Sequence, residues 1–256
     1  MLSKNKIKSF RSLEMKKNRD ANDVFVAEGP KVVHDILSIH KELLSAIAAT
    51  EEWFAQENKL TDDLTCEKIT VSADELTKVS LLCHPQQVFA VFRKFKQITS
   101  DELPSLADKL TLVLDGVQDP GNLGTIIRIA DWFGIEDIIC SKETVDAYNP
   151  KVVQATMGSI ARVRVSYMEL EQLFDALPPT LPVYGTLLEG NNMYSEQLSH
   201  NGIIIMGNEG KGISPKIRQF ITNGLRIPNY PEGRDTADSL NVAVATAIIC
   251  ADFRRR

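Results

Sequence analysis

The chain has 256 residues, of which 43% are hydrophobic and 25% charged, and its net charge is −5. Such a length buries a core in one large domain or two modest ones, and the composition excludes fibrous, disordered and disulfide-framework classes. A negative sum also excludes a uniformly cationic surface, so any binding to nucleic acid has to come from local clusters of Lys and Arg.

One such cluster opens the chain. Lys4, Lys6, Lys8, Arg11, Lys16, Lys17 and Arg19 face only Glu14 and Asp20 within the first twenty residues, and Arg254, Arg255 and Arg256 close the chain. These ends are either solubilising tails or phosphate contacts. The start, MLSKNKIKSF, lacks the apolar stretch of a signal peptide. No apolar run has the length of a membrane span.

Residues 24–95 read as a small α/β unit. VFVAEG is a short strand, and in the next segment Val32, Val33, Ile36, Leu37, His40, Leu43 and Leu44 share a helical face. AIAAT is a buried strand, EEWFAQE a short helix and KITV a strand. Ser72 and Glu75 then have capping-box spacing at a helix start, and VFAVF closes the unit. These elements predict an N-terminal domain over 1–97. Residues 98–109, polar and carrying Ser100, Pro104 and Ser105, read as a linker to a second domain over 110–256.

In that second domain LTLVLDGV suits a fully buried parallel strand. DPGNLG is a turn, with Gly121 and Gly124 leaving backbone amides open, and TIIRIADWF is a helix that stops at Gly134. EDIIC, a helix from Pro150, the strand ARVRV and the helix YMELEQLFDAL follow. LPVYGTLL, GIIIMG and NGLRIP are three further strands. Ser214 and Pro215 read as N-cap and first residue of PKIRQF, and SLNVAVATAIICADF as a last helix capped by Ser239. The sum is an α/β fold, a mostly parallel sheet with helices on both faces, whose ligands sit beyond the carboxyl ends of the strands.

Three loops at those ends carry chemistry. DGVQDPGNLGTIIRIAD brings Asn122 and Arg128 to a helix start. IIIMGNEGKGIS surrounds Glu209 and Lys211 with glycines, which allow positive φ and close approach of a ligand to backbone. RIPNYPEGRDTADSLNVAVATA brings Ser239 and Asn241 to the start of the last helix, and capping explains Ser239 but not Asn241. The fingerprint GxGxxG is absent, which argues against a nicotinamide oxidoreductase. The four cysteines, Cys66, Cys83, Cys140 and Cys250, are scattered, as are His34, His40, His84 and His200. Reduced thiols, a cytoplasmic protein and no metal site are therefore expected.

Together, and in this order, the three loops closely resemble the SpoU (TrmH-type) group of the SPOUT methyltransferase superfamily over about residues 110–253. AYNPKVVQATMGSIARVRV is also similar to that group. Residues 24–95, with EGPKVVHDIL and PQQVFAVF, look like its substrate-binding domain, which has a ribosomal-protein-like fold.

The resemblance implies a C-terminal trefoil knot, which sequence physics would not propose because knots are rare. It implies a homodimer through the catalytic domain, with no membrane and no metal. The implied reaction is methyl transfer from S-adenosylmethionine to a ribose 2′-hydroxyl of RNA, either ribosomal or transfer RNA, with ribosomal RNA favoured by the N-terminal domain. Asn122, Arg128, Glu209, Ser239 and Asn241 match the group's functional positions. Gly185, Thr186, Leu187, Gly207, Asn208, Gly212, Ile227 and Leu240 match its cofactor loops. Arg128 is expected to face solvent and to polarise the hydroxyl beside a phosphate, a task its planar fork of donors suits; a salt bridge to Asp131 is the structural alternative. Residues 228–238 are a few residues longer than the group's usual loop. A non-enzymatic RNA-binding factor on the same fold is the remaining alternative.

Overall fold

Short apolar runs separated by amphipathic stretches fold this chain into layers, since each strand and each helix has to bury one apolar face. The computed structural model describes residues 2–231 and 234–255. The chain begins with α1 (Lys4–Ser12), α2 (Lys16–Asn22), β1 (Val24–Glu28), α3 (Pro30–His40), β2 (Leu44–Ala49) and α4 (Glu51–Gln56). Next come α5 (Asn58–Thr61), β3 (Glu67–Thr70), α6 (Ala73–Val79) and β4 (Val88–Arg93). A 3-10 helix (Ser100–Asp108) then leads into β5 (Leu110–Asp115), α7 (Pro120–Trp132), β6 (Asp137–Cys140), α8 (Pro150–Ala155), β7 (Arg164–Tyr167) and α9 (Leu170–Ala176). The chain continues through β8 (Val183–Asn192), β9 (Gly202–Gly207), α10 (Pro215–Arg218), β10 (Asn223–Arg226) and α11 (Val242–Arg255).

The first unit comprises residues 1–95 together with 146–161. Its four-stranded sheet has the order β1-β4-β2-β3, antiparallel except for the β2–β3 pair. Val33, Ile36 and Leu37 of α3 pack on Phe25, Ile47, Ala90 and Phe92, and Val153 and Ile160 join the same core. The capping box forms as its spacing requires, with Glu75 N–H donating to Ser72 Oγ and Ser72 N–H to Glu75 Oε2. The basic opening segment is folded into α1 and α2. Arg19 is 1% exposed and holds the α1–α2 turn through Leu13 O (2.9 Å) and Glu14 O (2.6 Å), while its Nη2 reaches Asp146 Oδ2 at 2.6 Å.

The second unit comprises residues 96–145 and 162–256. Its six strands run parallel in the order β10-β8-β9-β5-β6-β7. On one face Val113, Ile139, Ile203 and Ile205 meet Leu170, Leu173, Phe174 and Ile217 of α9 and α10. The alternate residues Leu112, Leu114, Ile138, Ile204 and Met206 are also buried, on the opposite face by the two-residue strand period. Burying each such aliphatic side chain contributes about 1.5–3 kcal/mol.

Two domain boundaries and one helix start differ from those expected. Residues 98–109 are no linker: Ile98, Leu103 and Leu106 are buried in the second unit's core, and Thr99 with Glu102 makes a second capping box. Their polar neighbours mask three buried apolar residues. Residues 146–161 lie within the span expected for the catalytic domain, yet they pack with the first unit. DPGNLG, expected as a turn, already belongs to α7, with Asp119 as N-cap and Pro120 as first residue, so Gly121 and Gly124 are helical. Proline is preorganised at that position, and its missing N–H costs nothing there. Of the basic C-terminus, Arg254 closes the end of α7 through Phe133 O (2.8 Å) and Gly134 O (3.0 Å), and Arg255 pairs with Asp252 (2.7 Å). Arg256 lies outside the described residues.

The amino-terminal ends of three strands are tied by charge. Asp137, 1% exposed, receives Arg164 Nε and Lys109 Nζ, each at 2.6 Å, and Arg164 also reaches Glu102 Oε1 at 2.9 Å. The Thr99 backbone N–H, then Arg164 and the Thr99 hydroxyl, hold the Glu102 carboxyl down at about 2 from its ordinary 4.5. A depressed carboxylate adds stability that is complete above its unfolded value and is lost as pH falls toward its folded value. The melting temperature of Glu102→Gln is therefore expected to lie below wild type at pH 7, with the gap closing between about pH 4.5 and pH 2. A gap unchanged from pH 7 to pH 3 would contradict this.

Candidate active site

Three loops converge at the carboxyl ends of β5 and β9 and at the start of α11. The β5 loop is shaped by Gly116, with φ of +76°, whose N–H donates to Ser141 Oγ (3.0 Å) and Thr144 Oγ1 (3.2 Å). Asp119 Oδ1 then caps α7 by accepting from Asn122 N at 2.8 Å. In the β9 loop Asn208 N–H donates to Gly212 O (3.0 Å) and Gly212 N–H to Asn208 O (2.9 Å). Asn208 Oδ1 accepts from Gly210 N and Lys211 N, and its Nδ2 donates to Gly116 O at 2.7 Å. Glycine is required at two points: a Cβ on Gly207 would lie 2.3 Å from the Gly212 carbonyl carbon, and Gly212 has φ of +67°. Asp115 Oδ2 fixes the far end of the turn by accepting from Ser214 N at 2.7 Å.

Glu209 joins the loops. Its carboxylate accepts from Gln118 N (3.2 Å), Asp119 N (3.1 Å) and Asn122 Nδ2 (3.0 Å). Asn122 Oδ1 in turn accepts from Asn241 Nδ2 at 2.9 Å. Asn241 Oδ1 accepts from Ala243 N (3.0 Å) and Val244 N (3.2 Å), so Asn241 caps α11. Burial acts to raise the Glu209 pKa, but the hydrogen bonds from Asn122 and the backbone outweigh it and hold the carboxyl below its ordinary value. Glu209 is therefore ionised at neutral pH and is a weak proton acceptor.

Beside this network lies a pocket of roughly 490 Å³ in the second unit, within the usual range for small-molecule sites. Thr186, Leu187, Gly207, Asn208, Gly212, Ile227 and Leu240, residues matched to cofactor loops in the sequence, line it. Gly185 does not. It is buried one residue earlier in β8, where a Cβ would meet Ile221 Cδ1 at 2.2 Å, so packing accounts for it. Ser239 lines the pocket and is exposed, but it is not the helix cap; that role passes to Asn241, because α11 starts at Val242. Thr236, Ala237 and Asp238 of the longer loop also line the pocket; Glu232 and Gly233 of that loop lie outside the described residues.

Arg128 stands on the exposed side of α7 and has no hydrogen-bond or ion-pair partner among the described residues. Asp131, its expected structural partner, is instead gripped by Arg162 through Nε (2.9 Å) and Nη2 (2.7 Å). Sequence reasoning missed Asp115 and the apolar wall of Met206, Val242, Ala245 and Ile249. The spacing of the last three, at i, i+3 and i+7, was the available signal.

A family model described as SpoU rRNA Methylase family matches residues 109–251, and one described as MRM3-like substrate binding domain matches residues 4–90. The chain is 33% identical to the 23S rRNA (guanosine(2553)-2'-O)-methyltransferase RlmP of Bacillus subtilis (strain 168), over 97% of this chain and 96% of that protein. It resembles a solved structure from Porphyromonas gingivalis assigned to the TrmH family, with 34% identity and a TM-score of 0.83, over 100% of this chain and 99% of that one. An AdoMet-bound rRNA methyltransferase from Sinorhizobium meliloti gives 29% identity and a TM-score of 0.84, over 100% and 96% of the two chains.

The hydrogen bond from Asn241 Nδ2 to Asn122 Oδ1 ties α7 to the cap of α11 and is testable by its effect on stability. Asn122→Ala and Asn241→Ala remove the same hydrogen bond, so in urea unfolding the double variant should lose less than the sum of the singles. The expected non-additivity is about 0.5–1.5 kcal/mol, the range for one such bond. Strict additivity would show that the bond is not made in solution.

Proposed function

The chain belongs to the SpoU rRNA methylase family, and on that premise we propose that it transfers a methyl group from S-adenosylmethionine to a ribose 2′-hydroxyl of ribosomal RNA. The observation that carries this reading is the hydrogen-bonded chain Glu209–Asn122–Asn241 beside the pocket of roughly 490 Å³, with Arg128, which has no partner among the described residues, on the same helix as Asn122. The pocket suits the cofactor. Its lining combines apolar side chains such as Leu187, Met206 and Ile249 with charged groups such as Glu189, Arg226 and Asp238, and the Gly207–Gly212 contact leaves backbone close to a ligand where a Cβ would intrude. Thr186, Leu187, Gly207, Asn208, Gly212, Ile227 and Leu240 would hold it.

When bound, S-adenosylmethionine supplies an electrophilic methyl on a sulfonium. The chain's own residues have to align the ribose oxygen and ease the loss of its proton. Asn122 and Asn241, locked to each other and to Glu209, orient the loops that meet the ribose. Ser239 offers an exposed hydroxyl at the same edge. Glu209 is an anchor and not the base, because three donors occupy its oxygens and its pKa is depressed. Arg128 extends a fork of donors that can polarise the 2′-hydroxyl and hold the adjacent phosphate. The commitment of Asp131 to Arg162 removes support from the reading of Arg128 as a structural ion pair.

The first unit supplies RNA binding in this reading. Lys4, Lys8, Lys16 and Lys17 are exposed on α1 and α2 and suit phosphates. Lys6 is paired with Glu67, Arg11 donates to Lys78 O and Ser80 O, and Arg19 is buried, so those three are not part of this surface. Family membership further supports a trefoil knot, consistent with β10 returning past β9 to pair with β8. It also supports a homodimer: Trp132 (84% exposed) and Val244 (51%) project from α7 and α11, two helices that pack together, and such apolar residues suit a partner surface.

Arg128→Ala is expected to lower single-turnover methylation by about a hundredfold or more, with S-adenosylmethionine affinity and melting temperature near wild type. Arg128→Lys should restore little, because an ammonium lacks the bidentate fork. An alanine variant that melts early yet methylates normally at low temperature would overturn the assignment.

A further inference from the structure

The Gly29 turn, the loop before β4 and the α8 segment of the first unit carry groups that the reaction above does not use. Gly29, between β1 and α3, has φ of +86°, and a Cβ there would lie 2.8 Å from Gln86 Oε1 and 4.0 Å from Gln154 Nε2. Two amides, from the loop before β4 and from α8, thus stand over one turn. Neither side chain has a hydrogen-bond partner among the described residues. Lys151, on α8, is exposed and has no ion pair among the described residues.

Just past α8, Met157 has φ of +51° and is 41% exposed. A side chain with a β-carbon disfavours that conformation, and water disfavours the thioether, so neither backbone nor packing explains a methionine here. The next residue, Gly158, sits on α3: a Cβ there would meet Asp35 Oδ2 at 2.5 Å, and Asp35 pairs with Lys31 at 2.7 Å. The segment is not loosely held. The buried Arg19–Asp146 pair seats its start, and Tyr148 packs on Phe25 with ring centroids 4.9 Å apart.

We propose that these segments form one face that takes a single-stranded stretch of the RNA substrate. Lys151 neutralises a phosphate, Gln86 and Gln154 meet base edges or ribose hydroxyls, and Met157 packs against an unstacked base. Single-stranded RNA is recognised by this combination of amide donors and acceptors, cations and apolar contact to splayed bases, and a flexible, polarisable thioether suits an aromatic face. A strained residue kept at the surface is itself a pointer to function. The proposal rests on the reading of the chain as an RNA methyltransferase, and it assigns residues 146–161 to substrate binding.

The test uses the full-length protein, an in vitro transcribed 23S ribosomal RNA as probe in filter binding, and Met157→Gly, Gln154→Ala and Lys151→Ala. Glycine relieves the strained φ, so Met157→Gly is expected to melt at or above the wild-type temperature while binding RNA roughly five- to tenfold more weakly. Lys151→Ala should reduce the slope of log K against log salt by about 0.7. Calorimetric affinity for S-adenosylmethionine should not change. Wild-type RNA affinity in all three variants, with an unchanged salt slope, overturns the patch and leaves the enzymatic reading intact. A wild-type protein that binds no RNA overturns the enzymatic reading and the patch with it.

Discussion

The Glu209 carboxylate is the constraint on which the site depends. It lies at the head of α7, where backbone N–H groups lack partners inside the helix and the helix dipole favours an anion. Gln118 and Asp119 N–H point to it, and the Asn122 amide completes its set of donors. An amide that donates through Nδ2 has its carbonyl turned the other way, and that carbonyl receives Asn241. One charge therefore orients two asparagines and draws the β9 loop, the β5 loop and the start of α11 into a single arrangement. Partial burial works against the charge, and the hydrogen bonds prevail.

The same constraint divides the chemical work. A carboxylate engaged by three donors is a poor proton acceptor, and in the proposed reaction Glu209 organises the loops and leaves the hydroxyl to other groups. The pocket follows similar logic. One edge of it is shaped by the Gly207–Gly212 approach and by Asn208 folding back on its own turn. Beneath it Met206, Val242, Ala245 and Ile249 form an apolar wall that side-chain chemistry alone does not mark as functional. In the first unit Arg19 does comparable work, since one buried guanidinium organises the basic helices and the start of the 146–161 segment.

Much of this was legible in the sequence because it is local. Strand and helix periodicity found nearly every element of both sheets, and the Ser72–Glu75 spacing gave its capping box. The three glycine- and asparagine-bearing loops are specific in combination, where each alone is ambiguous. What stayed hidden depends on partners distant in the chain. Ser239 has the composition of a cap, but the helix begins later and Asn241 takes the role. Gly185 looks like a ligand contact until Ile221 is found against it. The assumed linker hides Leu103 and Leu106 among polar residues, and residues 146–161 leave the catalytic unit for the first one. Asp131 was available to Arg128 by spacing, and only the fold gives it to Arg162.

The central claim is transfer of a methyl group to a ribose 2′-hydroxyl, and alkaline mapping tests it most directly. A 2′-O-methylated nucleotide has no free hydroxyl to attack its phosphodiester, so that bond survives alkali. Unmodified 23S ribosomal RNA incubated with the purified protein and S-adenosylmethionine should show one new alkali-resistant position, absent when the cofactor is omitted. Methyl incorporation with no resistant bond would put the methyl on a base and contradict the account, as would no incorporation into ribosomal RNA at all.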